Sequence, residues 1–210
     1  MGASSGFIGQ VAAIQTAENY QTVPAEYASS LGLARPALEG RLAFWHKFDD
    51  VRRVEFGSSF HTGATHVAGS SVPSRIASFD WHVVPLSKLD FTGTFYTGQN
   101  VAGLGALGNG VTISEDGTVR AVHTTGGWTQ LSIPITNRLT FNFFGGVEGD
   151  HSNYSTAYGV AHNLNYASNL MYRLGPNVVV SMEALQMRTR SFSGSSEIHN
   201  HYDLALGYLF

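Results

Sequence analysis

Three sets of residues have types and spacings that chemistry could use. His199, His201 and Asp203 stand at alternate positions. On an extended strand they would share one face, where imidazoles and a carboxylate could hold a divalent metal. A wet, polar strand face explains the same spacing without one, and no metal or cofactor is expected. Ser59 with His61, and Ser78 with His82, pair a hydroxyl with an imidazole. A rim hydrolase would need such a pair, with an Asn or an acid orienting the imidazole. Neither pair sits in a recognisable signature, so the chain is not expected to be an enzyme. Gly103-Leu104-Gly105-Ala106-Leu107-Gly108 has the composition of a phosphate-cradling loop. No strand–loop–helix context surrounds it, and a loop that is external or folds into a pore accounts for it better.

The remaining chemistry-bearing residues are charges, and their spacing depends on the elements that carry them. The chain has 210 residues, 13% of them charged and 43% hydrophobic, with 13 Phe, 9 Tyr and 24 Gly. The charged fraction is about half of the usual quarter. A mean hydropathy of -0.04 is that of an ordinary soluble protein, and it is also what alternating lipid-facing and water-facing residues average to. No apolar run approaches the roughly 18 residues of a transmembrane helix. Cysteine is absent, which excludes disulfides and thiolate metal sites. A formal net charge of -3 without a basic block argues against nucleic acid as a partner.

Residues 1–35 are weakly patterned, with a strand over Phe7–Ile14 and a loop over Asn19–Arg35. Residues 36–210 follow a period of two, the strand period. Nine segments are read, at about 37–48, 52–63, 75–84, 88–98, 119–133, 138–148, 161–174, 177–190 and 198–210. Adding Phe7–Ile14 makes ten. Short connections rich in turn residues, such as Phe48-Asp49-Asp50-Val51 and Gly175-Pro176-Asn177, alternate with mostly longer ones: 64–74, 99–118, 149–160 and the shorter 191–197.

Splitting each segment by parity separates two faces. One carries Phe44, Phe56, Phe79, Trp81, Phe91, Phe141, Phe143, Tyr172, Tyr208 and Phe210. The other carries Glu39, Arg41, Lys47, Arg53, Glu55, Asp80, Lys88, Asp90, Arg138, Arg173, Glu183 and Asp203. Near Ala184–Leu185 the phase slips, which implies a β-bulge that would turn Arg188 and Arg190 onto the charged face. Alternatively these arginines sit above the membrane, where facing does not matter. A soluble antiparallel barrel would show the same alternation. Against it stand segments of about 12 residues, where about 5–6 is usual in soluble sheets, apolar faces too bulky for a small barrel interior, and the alternation of loop lengths.

The last segment, Ile198 to Phe210, alternates up to a terminal aromatic with Tyr208 two places before it. This resembles the closing strand of Gram-negative outer-membrane proteins, and over residues 36–210 the chain is similar to the C-terminal portion of porin-like barrels. The resemblance implies an all-β, antiparallel, up-and-down transmembrane β-barrel of about nine to ten strands in this chain. It implies a bacterial outer-membrane location, contact with outer-membrane lipid, and recognition by the barrel-assembly machinery through Phe210. The charged face would then line a lumen for small hydrophilic solutes, and a slight excess of positive charge favours anions. A homo-oligomer is compatible with this. Met1 to Phe7 does not read as a secretory signal, and nine clear strands are an odd number, so the expectation is a piece of a larger barrel, the alternative being a weakly patterned ten-stranded barrel whose signal has been removed. Alternatives are a structural or adhesive barrel without an open pore and, further off, an outer-membrane barrel hydrolase.

Overall fold

The computed structural model describes residues 4–15, 36–67, 69–104, 110–114, 116–151 and 159–208. The loop expected over Asn19–Arg35 falls wholly outside them, as does Phe210. The described chain is nearly all strand: β1 (Ser5–Gln15), β2 (Pro36–Lys47), β3 (Arg53–Val67), β4 (Ser70–Leu86), β5 (Leu89–Gln99), β6 (Val111–Ile113), β7 (Val119–Ala121), β8 (His123–Pro134), β9 (Leu139–His151), β10 (Val160–Arg173), β11 (Val178–Ser191) and β12 (Ser196–Tyr208). β6 and β7 form a small hairpin of their own. The other ten make one sheet in chain order, each pairing antiparallel with the next. Among the described residues no ladder joins β1 to β12, so the sheet has two edges.

Local chemistry sets the short turns. Between β2 and β3, Asp49 Oδ1 accepts from the backbone N–H groups of Val51 and Arg52 at 2.9 and 2.6 Å, and Arg52 Nε donates to Asp49 Oδ2 at 2.6 Å. These donors favour the carboxylate and hold the Asp49 pKa down to about 2. Between β8 and β9, Thr136 Oγ1 accepts from the N–H groups of Arg138 and Leu139. Side chains that mimic a backbone turn account for the tightness of this end of the sheet.

At the other end, three expectations give way. The connection expected over residues 64–74 is not a loop: β3 and β4 run on to a tight turn at Gly69, whose φ of 76° suits glycine. The segment expected over 119–133 is two elements, β7 and β8, and β6 lies in the preceding connection. No bulge lies near Ala184–Leu185. The register of β11 is unbroken there against both neighbours, and irregularities lie instead between Val83 and Leu86 and between Val160 and His162. Continuous register keeps Glu183, Leu185, Met187 and Thr189 on one face and sends Arg188 and Arg190 to the opposite one, the face of Met182.

Candidate pore wall

The two faces of the sheet follow from register and burial. One presents Phe7, Leu42, Phe44, Phe56, Phe60, Phe79, Phe91, Phe95, Phe143, Tyr166, Leu170, Tyr172, Met182, Tyr202, Leu204, Leu206 and Tyr208 to the exterior. Trp81 and Phe141 share it by parity. The other face is concave, and the connection between β5 and β8 folds over it. Asn100 anchors that connection. Its backbone has φ 53°, a left-handed conformation that Asn tolerates. Its side-chain Nδ2 donates to Thr65 Oγ1 at 2.9 Å. Ser74 Oγ donates to its carbonyl at 2.8 Å, and its N–H donates to the Val122 carbonyl. Val67 and Val72, on the protruding β3–β4 hairpin, bury against Val111, Ile113, Val119 and Ala121 of the small hairpin and its flanks. A single 3-10 turn, Ala102–Leu104, then carries Leu104 over the concave face, where it lines a groove on either side.

One groove is charged. Arg41 on β2 donates from Nε to Asp80 Oδ2 at 3.1 Å and from Nη2 to Asp80 Oδ1 at 2.5 Å, and Nη2 also reaches Glu55 Oε1 at 2.9 Å. The link from β2 to β4 passes over Gly57 of β3, where a Cβ would stand 2.6 Å from Asp80 and 2.7 Å from Arg41. Close by, His61 Nδ1 meets Glu39 Oε1 at 3.0 Å. Further toward the short turns, His82 Nε2 meets Asp90 Oδ2 at 3.1 Å.

The second groove is more amphipathic. Tyr96 on β5 donates its hydroxyl to Glu148 on β9, again over a glycine of the strand between, Gly126, where a Cβ would stand 2.7 Å from the Tyr96 oxygen. Trp128 and Phe144 lie beside it with ring centroids 5.9 Å apart, and Asn163 and Asn165 complete the wall. Toward the short turns an amide ladder crosses three strands: Asn142 Nδ2 donates to Asn169 Oδ1 at 2.7 Å, and Asn169 Nδ2 to Glu183 Oε2 at 3.1 Å.

The structure divides the charged residues expected to line the lumen into two groups. Glu39, Arg41, Glu55, Asp80, Asp90, Glu183 and Asp203 stand on the concave side of strands. Lys88 lies in the β4–β5 turn and Arg138 in the bend before β9. Lys47, Arg53 and Arg173 are terminal residues of their strands, at the same end. Of the cations in these two groups all but Arg41 therefore lie at the short-turn end, and the concave face beyond them is mostly acidic. Glu148, Asp150 and Glu197 add to it. Parity placed Glu148 on this face, but its partnership with Tyr96 depends on strands 52 residues apart. Leu104 had no signal at all.

Neither Ser59 nor Ser78 is hydrogen-bonded to a histidine among the described residues, and His61 points Nδ1 at Glu39 and His82 points Nε2 at Asp90. His199 meets Glu197 at 3.3 Å.

Neither a protein family nor a curated protein matches the chain by sequence. Solved structures do match its fold. The outer membrane channel DcaP of Acinetobacter baumannii superposes on the whole chain with a TM-score of 0.76 at 12% identity. The fold is porin-like. The NanC porin superposes on the whole chain as well, with a TM-score of 0.52 at 12% identity. This porin-like chain spans 60% of the length of DcaP and 96% of that of NanC. Its porin-like sheet thus follows part of the longer channel more closely than nearly all of the shorter porin. At such identities the likeness is one of fold.

Proposed function

We propose that the chain forms the wall of an outer-membrane channel through which small hydrophilic solutes diffuse passively. The observation that carries this reading is the opposition of the two faces. The convex face exposes large apolar side chains, with Phe7 73% and Leu204 76% accessible. A patch of that extent would drive association in water and is at rest in lipid. The concave face is polar and ion-paired, and Leu104 narrows the space before it. In this reading the short turns are periplasmic and the long connections external, as in outer-membrane barrels. The C-terminal strand, with Tyr208 exposed on its convex face and Phe210 two residues beyond, would be the part met by the assembly machinery.

The wall argues for cations over anions, against the slight anion preference expected from the sequence. Arg188 and Arg190, which a bulge would have turned to the lumen, lie on the convex face, and Asp150 and Glu197 stand with Glu148 on the concave one. Fixed charge of one sign in a confined aqueous path raises the local concentration of the opposite ion. No covalent step is part of this function.

Planar-bilayer recording tests it. The refolded chain should give ohmic unitary steps, with a reversal potential in a salt gradient that favours cations. Neutralising Glu55 and Asp80 together should reduce that preference. A heat-modifiable barrel that inserts but stays electrically silent would overturn the channel and leave the structural barrel.

A further inference from the structure

The convex face carries its own charge pattern, which diffusion through the lumen does not use. Register places the carboxylates of the ten strands on the concave face. Among the described residues of the sheet, the full charges on the convex face are Arg75, Arg188 and Arg190. All are cations and all lie toward the long-connection end.

Arg188 and Arg190 sit together near the end of β11. That strand has 14 residues, and about ten tilted residues cross the apolar core of a bilayer. Counted from the short turn at its start, Val178 to Met187 span that core, and the last residues emerge beyond it. Arg190 stands opposite His162 of β10 and Ser196 of β12, and Arg188 opposite Leu164 and Ile198. Arg188 Nε donates to Gln186 Oε1 at 3.0 Å. Gln186 in turn donates from Nε2 to Asn200 Oδ1 at 2.9 Å and accepts from the Tyr166 hydroxyl. The chain of amides orients the Arg188 fork and leaves its terminal nitrogens as donors. Neither guanidinium takes part in an ion pair among the described residues.

We propose that Arg188 and Arg190 hold the phosphate of an outer-leaflet lipid. The inference rests on the outer-membrane orientation given above and adds a binding site outside the channel. Two planar donor forks side by side suit a phosphate, which each can meet bidentately. Immediately below them, on the same face, Tyr166, Leu170, Met182, Tyr202 and Leu204 are exposed. A ligand that touches both zones is an amphiphile, with an anionic head at the height of the arginines and acyl chains along the strands beneath. A free anion would use only the upper zone.

The experiment is native mass spectrometry of the detergent-solubilised full chain, titrated with a bis-phosphorylated acylated disaccharide (lipid A). Inorganic phosphate is added as competitor, and insertion into phosphatidylcholine vesicles is measured in parallel. The wild-type chain should retain the lipid, R188Q/R190Q should bind it about tenfold more weakly, and R75Q should match the wild type, since Arg75 lies several strands away on β4. Heat-modifiable gel mobility confirms that each variant is folded. Retention unchanged in R188Q/R190Q overturns the site while leaving the channel intact. Loss equal in R75Q reduces it to general charge attraction and also overturns it. Displacement of the lipid by millimolar phosphate makes it a free-anion site and overturns the lipid assignment. Failure of the wild-type chain to insert into any vesicle removes the outer-membrane reading, and the lipid site with it.

Discussion

Gly57 and Gly93 are both constrained by what lies over them, though on opposite faces of the sheet. A methyl group at Gly57 would meet the outer ends of two flexible side chains, Arg41 and Asp80. These can withdraw, so Gly57→Ala costs little more than the ion pair they form, which is partly exposed. We expect a loss of about 1 kcal/mol in urea unfolding. At Gly93 the same methyl group would stand 2.3 Å from the Trp81 indole and 2.6 Å from the Trp128 carbonyl oxygen. A packed ring and a backbone atom have nowhere to go, so Gly93→Ala should cost about 2–3 kcal/mol. The reverse order would refute the close approach at Gly93. Residues of this kind were poorly legible in the sequence. Parity says which face a glycine is on, but the partner that crosses it comes from a neighbouring strand. Trp128 and Phe144 show the other side of that limit. By parity they stand among polar residues such as Gln130 and Asn142, and only the structure makes them one aromatic surface.

At the scale of elements, the sheet was legible wherever one face is apolar and the other polar, because a one-residue slip there would invert every side chain. The nine expected segments and the strand over Phe7–Ile14 correspond to the ten strands of the sheet. The reading failed beyond the apolar zone, where both faces are wet and alternation carries no energy. The stretch 64–74, rich in Ser and Ala, therefore looked like a loop although it is a hairpin end. Arg188 and Arg190 suggested a bulge for the same reason: charge on the outward face is forbidden only in hydrocarbon. The β5–β8 connection was recognisable as a loop, but its inward course depends on scattered valines and on Asn100. Asn100→Gly would keep the left-handed backbone and remove the side-chain bonds to Thr65 and the Val72 carbonyl. The expected result is a connection freed from the wall, seen as larger unitary conductance with more open-state noise. Unchanged traces would mean that Asn100 does not hold Leu104 in place.

For the molecule as a whole, the two edges matter most. Nearly every residue of β1 and every described residue of β12 is exposed, and their outer N–H and C=O groups lack ladder partners in the sheet. In hydrocarbon each such group costs several kcal/mol, so in a bilayer both edges must be paired, with one another or with other strands. The chain by itself in a bilayer has two ways to achieve this: closure of β1 onto β12, or joining to a second copy. Cysteines introduced at Ala13 and Leu206 in single-cysteine and paired variants should therefore cross-link through oxidation or a short bifunctional reagent, within one chain or between two. Absence of both products from a vesicle-inserted sheet would contradict the argument.

The two links that step over a glycine have a mechanical meaning. Arg41 to Asp80 and Tyr96 to Glu148 each tie strands that are not neighbours, so each runs across the curve of the sheet like a short hoop. A ladder of backbone bonds lets adjacent strands hinge about one another. A hoop over the intervening strand resists that hinging, because any local flattening or sharpening of the curve stretches it. The curvature of the sheet at this level is thus stiffened by side chains, and a glycine at the centre of each hoop is what lets it lie flat against the concave face.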